Sequence, residues 1–165
     1  MPKKRTLTNN ARKCNTKNRR TRINNMKNIN MKKGGSTTSN STKSRIVKVF
    51  FEILNNIKLY HWKTKSYAQH KATDDIHSKL NDNIDKFVEV LLGKDSSRIQ
   101  MVEKHIDIID FKNTNDFKEK IFEFRAFLTD LNAIFKDKHD SDILSIRDDI
   151  LTDINQFLYL MTFDK

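Results

Sequence analysis

Residues 66–93 read SYAQHKATDDIHSKLNDNIDKFVEVLLG. Ile76, Leu80, Ile84, Phe87 and Leu91 recur at helical spacing. With His70 at 0° and 100° per residue, they fall near 240–320°. Ser66 and Gln69, three apart, fit a capping box at the start, and Gly93 fits the glycine position after a helix end. The stretch therefore predicts one amphipathic helix. Outward from it, Ile46, Val47, Phe50, Ile53, Leu54 and Ile57 predict a first helix from Arg45 to about Lys63, capped by Ser41, Thr42 or Ser44. Phe117, Ile121, Phe124, Leu128, Leu131 and Phe135 predict a third over 115–136. Ile143, Ile146, Ile150, Ile154, Phe157, Leu158 and Met161 predict a fourth over 141–163. The link 94–113 is expected to hold at most a short helical turn near 102–109. The fold class expected is all-α, a four-helix bundle over 45–165 whose long second link permits a crossover.

Composition removes several other classes. The chain of 165 residues has three Gly and one Pro, too little turn chemistry for a many-stranded sandwich or barrel. No GxGxxG or GxxxxGK[ST] loop is present. The single Cys14 excludes an internal disulfide framework and a Cys-rich zinc module, and leaves no Cys/His pair for nucleophilic catalysis. No run of about 18 apolar residues exists to span a membrane, and the basic N-terminus lacks the apolar core of a secretory signal. The expected setting is intracellular or inside a virion.

The net charge of +11 is unevenly placed. Of 32 Lys and Arg, 13 lie in residues 1–44 with no acidic residue, so 45–165 holds 19 against all 21 Asp and Glu, a net of −2. The segment 1–44 is Asn- and Thr-rich, lacks aromatics, and reads as a disordered basic tail spanning roughly 40 Å. Lys3, Lys4, Arg5, Arg12, Lys13, Lys17, Arg19, Arg20, Arg22, Lys27, Lys32 and Lys33 are the candidate nucleic-acid-binding residues, since such density neutralises phosphates and releases counterions. A targeting segment or an arm for an acidic protein surface is the alternative. Gly34-Gly35 marks a joint and a candidate cleavage site.

The second helix also carries a chemical stripe. Asp74 falls near 40°, Asp85 near 60° and Glu89 near 100° from His70, away from the apolar face. Imidazole with carboxylates is a ligand set for Fe, Mn or Zn. His70 and Glu89 lie about 28 Å apart along the axis, so one chain cannot gather them around one ion. The pairs 70/89 and 74/85 share a midpoint near 79.5. A second copy laid antiparallel sets His70 and Asp74 against the partner's Glu89 and the partner's Asp85, giving two identical sites in an isologous dimer. His61 can add a nitrogen from the same chain as His70. Glu119, Glu123, Asp142, Asp148, Asp149 and Asp153 are expected to face solvent, and Tyr60, Trp62 and Tyr67 to pack.

His61-Trp62, His70-x3-Asp74 and Asp85-x3-Glu89 resemble the Dps branch of the ferritin-like proteins, named for DNA-binding proteins from starved cells. The resemblance covers about residues 46–93. It implies a ferritin-like bundle, ferroxidase sites at a two-fold interface built from His61, His70, Asp74, Asp85 and Glu89, iron oxidised by peroxide or oxygen, and a homodimer or larger homo-oligomer. The stretch KLYHWKTKSYAQHKATDD also resembles an uncharacterised family of large DNA viruses. That resemblance implies the second function class: a non-enzymatic structural or genome-packaging protein, with virion proteins as partners and the bundle used for oligomerisation.

Overall fold

A computed structural model describes residues 38–163. They form four long helices: α1 (Asn40–Lys63), α2 (Tyr67–Gly93), α3 (Thr114–Asp130) and α4 (Asp137–Leu160), with a 3-10 turn at Leu131–Ala133. No strand occurs among the described residues. Each helix buries its apolar stripe in one core, in which Phe50, Ile57, Leu80, Phe87, Phe117, Leu128 and Ile154 are almost wholly enclosed.

Three residues join α1 to α2, so the two run antiparallel. The next link returns the full length of α1 before α3 begins. Near its start Asp95 meets Lys43, and near its end Asp110 meets Lys63. The order is therefore up, down, down, up, with one long crossover.

The crossover holds no helical turn at 102–109, where the sequence allowed a short one. Its polar groups are taken by α1. Asn40 Nδ2 donates to the Gln100 carbonyl, Ser44 Oγ accepts from the Val102 amide, and Lys48 pairs with Glu103. Glu52 Oε1 accepts from the Asp107 amide, and buried Asn56 bonds both the Asp107 carbonyl and the Ile109 amide. Tyr60 Oη lies 2.9 Å from Thr114 Oγ1. These six residues are spaced by four. An i+4 row is inclined about 26° to its helix axis, so the strap crosses α1 obliquely along one ridge. About eleven strap residues cover about 35 Å of helix, which requires a nearly extended chain.

Helix ends differ from the expected ones where tertiary partners intervene. α1 starts at Asn40 rather than Arg45, because Ser39 Oγ accepts from the Thr42 amide. Lys43, assigned to the tail from sequence, is 3% exposed and paired with Asp95. α2 starts as expected, with Ser66 Oγ accepting from the Gln69 amide. Gly93 is still helical, and the positive φ of 52° falls on Ser96 instead. α3 stops at Asp130, six residues short. Buried Arg147 donates to the Leu128 carbonyl and to Asn132 Oδ1, drawing the chain out of the helix. α4 is non-helical at Asp140, whose Oδ2 accepts from the Lys136 amide, so its regular part begins at Ser141.

Candidate metal centre

The α1–α2 corner is built by a buried polar network. Gln69 Oε1 accepts from Tyr60 Oη at 2.7 Å and from Thr64 Oγ1 at 2.8 Å. Tyr60 is itself fixed by stacking on Phe117, ring centroids 3.8 Å apart, so its expected packing role holds. This sets the last turn of α1 against the first turn of α2 and brings His61 and His70 together.

Their imidazoles stack at 3.8 Å between centroids, inclined by 24°. His61 Nδ1 lies 3.1 Å from the His70 carbonyl, and His70 Nδ1 lies 3.1 Å from the His61 carbonyl. A carbonyl oxygen only accepts, so each Nδ1 carries a proton and donates. In the neutral imidazole Nε2 is then the atom with the lone pair. His61 Nδ1 is also 3.2 Å from Thr73 Oγ1, which bonds the Gln69 and His70 carbonyls. His61 is buried and His70 half-buried.

Asp74, one turn beyond His70, is exposed and stands 3.9 Å from Lys58 Nζ. Asp85 and Glu89 are also exposed, further along the same outward stripe. His77, between Asp74 and Asp85 in sequence, is half-buried. Its pKa is lowered, first by burial and then by the Lys58 charge, while Asp74 works in the opposite direction. Among the described residues, no three His, Cys, Asp or Glu side chains of one chain gather closely enough to hold a metal. His61 and His70 are thus brought together as a stacked pair, while Asp74, Asp85 and Glu89 do not join them within one chain. The candidate nucleic-acid residues Lys3 to Lys33, and the Gly34-Gly35 joint, lie outside the described residues.

Two features escape the sequence reading. Lys58 stands beside Asp74, signalled only by its place one turn before His61. Trp62 and Tyr67, expected to pack, are 70% and 77% exposed. They sit at helix ends, where Tyr60 and Phe117 already fill the core.

A family model described as "Family of unknown function (DUF5856)" matches residues 61–161. The match begins at His61, takes in all five candidate ligands, and leaves the basic N-terminal segment outside. An uncharacterised 14.6 kDa protein of the mobD-ri intergenic region of Enterobacteria phage T4 is 36% identical over 86 residues, 46% of this chain and 67% of that protein. No solved structure matches the chain.

Proposed function

The chain belongs to the family of unknown function DUF5856, and from that premise we propose that it is a Dps-like, ferritin-like protein that binds and oxidises Fe(II) at a two-fold interface. Two copies pair antiparallel along α2. His70 and Asp74, with His61 beside them, meet the partner's Asp85 and the partner's Glu89. The observation that carries this reading is the His61–His70 pair, with both Nδ1–H groups bonded to carbonyls. Hydrogen bonds of that kind orient an imidazole to offer Nε2 to a metal. The single long crossover supports a ferritin-like bundle.

Iron is the substrate here. Each Fe(II) loses one electron; a peroxide molecule takes two electrons and two protons and leaves as two waters. The carboxylates bind Fe(III) more strongly than Fe(II) and so favour oxidation. The basic segment 1–44 holds nucleic acid by phosphate neutralisation.

A second reading is favoured by Lys58. An ammonium beside Asp74 competes with a cation for that carboxylate. On this reading the bundle is an oligomerisation module of a viral structural or packaging protein, and the phage relative suits that setting. The two separate on one experiment. Fe(II) and peroxide are mixed with the wild type and with His70→Ala/Asp74→Ala, and Fe(III) formation is followed by absorbance. The ferroxidase reading expects rapid oxidation by the wild type alone, with circular dichroism unchanged in the variant. A wild type no faster than buffer leaves the structural reading.

A further inference from the structure

Between Ile53 and Thr73 the chain has no Asp or Glu and carries Lys58, Lys63, Lys65 and Lys71. The fold gathers the end of this stretch with three other chain segments at one end of the bundle. Lys63 Nζ donates to the Phe111 carbonyl where the strap ends. Tyr60 reaches Thr114 where α3 begins, and Lys118 Nζ donates to the Met161 carbonyl where α4 has ended. Ala72 and Ile76 of α2 line one small depression with Phe157 and Leu160 of α4.

Six aromatic rings are exposed among the described residues, and four of them stand at this end: Trp62, Tyr67, Tyr159 and Phe163. Tyr159 and Phe163 meet edge to face at 5.1 Å. Asp110 is held by Lys63, and the Asp116 carboxylate is bonded by Asn113 Nδ2. Lys65, Lys71 and Lys112 are exposed. Exposed ring faces among lysines match single-stranded nucleic acid: bases stack on the rings irrespective of sequence, and ammonium groups meet the phosphates. A duplex keeps its bases stacked on each other and offers these rings nothing. We infer that this end of the bundle, through Trp62, Tyr67 and Tyr159 with Lys65, Lys71 and Lys112, is a binding site for single-stranded nucleic acid. None of the six is a proposed iron ligand, but Tyr67 and Lys71 fall near 60° and 100° on the α2 stripe that the ferroxidase reading lays against a second copy, so the two readings compete for that face. The site differs from the basic N-terminal segment, which has cations but no aromatic ring to stack on.

Trp62 is the one tryptophan of the chain, so its fluorescence reports this surface specifically. The full-length protein is titrated with an oligothymidylate of about 12 nucleotides, within the usual span of such sites. Saturable quenching of Trp62 is expected, with none from a duplex of the same length or from heparin. Tyr67→Ala is expected to weaken the quenching titration about fivefold or more. Lys65→Glu/Lys71→Glu, two exposed positions, is expected to lower the salt dependence by about 0.7 in log–log slope for each phosphate no longer neutralised. Unchanged Trp62 emission while the labelled oligonucleotide still binds by anisotropy would overturn the inference, because the N-terminal segment then does all the binding. Equal quenching by duplex or heparin would overturn it too, as would emission that follows protein concentration and ignores the oligonucleotide.

Discussion

His61 and His70 clasp each other: each ring donates Nδ1–H to the other's backbone carbonyl, and the two rings stack at 3.8 Å. The clasp joins the last turn of α1 to the first turn of α2. It therefore serves the fold whether or not Nε2 meets a metal.

The structural share of that clasp is measurable. His61→Ala removes a buried donor from the His70 carbonyl and from Thr73, and is expected to cost about 1–3 kcal/mol in urea unfolding. An unfolding midpoint equal to wild type would mean that the corner is held by the Tyr60–Gln69–Thr64 network alone.

Asn56 tests the strap. Its fully buried amide holds both the Asp107 carbonyl and the Ile109 amide. Asn56→Ala strands both groups and is expected to destabilise by about 1–3 kcal/mol. The neighbouring Asn55→Ala removes a bond only to Phe51 of its own helix, and is expected to stay within about 0.5 kcal/mol. Equal effects would contradict a strap pinned through the i+4 row.

Acid sensitivity follows from Asp95. Hydrogen bonds from Lys43, then from Ser97, lower its pKa from 3.8 to about 2. A depressed carboxylate stabilises the fold above its unfolded pKa, and that contribution is lost as pH falls through the folded value. Asp95→Asn should therefore be less stable than wild type at pH 7, with the gap closing between about pH 4 and pH 2. A gap independent of pH would assign the effect to packing.

Most of the bundle is legible in the sequence because burial sets the period. The stripe Ile76, Leu80, Ile84, Phe87, Leu91 is the inner face of α2, and Ser66 caps it. What escapes is whatever a distant partner decides. Lys43 reads as part of a cationic tail until Asp95 and Ser97 are seen to receive it. The role of the polar row Asn40, Ser44, Lys48, Glu52, Asn56 is not visible in the sequence, because helix periodicity does not reveal a strap lying on it. The stop of α3 depends on Arg147, nineteen residues beyond Leu128. At the site, spacing places His61 near His70, but not the Lys58 ammonium beside Asp74.

The basic N-terminal segment gives a salt prediction for the whole chain. Replacing Arg19, Arg20, Arg22, Lys32 and Lys33 by Gln should weaken duplex binding and flatten its dependence on salt. The expected change is about 0.9 in log–log slope for each phosphate left to its counterions. An unaltered slope would remove residues 1–44 from nucleic-acid binding.

The shared site is tested most directly by complementation. His70→Ala/Asp74→Ala and Asp85→Ala/Glu89→Ala chains are purified, unfolded together, refolded and assayed for Fe(II) oxidation. Each variant alone lacks one half of every site and should be inactive. In a random mixture half of the dimers are mixed, and each has one intact site formed across a two-fold axis, so about a quarter of wild-type activity should return. A mixture as inactive as its two components, beside an active wild type, would contradict ligands pooled between two copies.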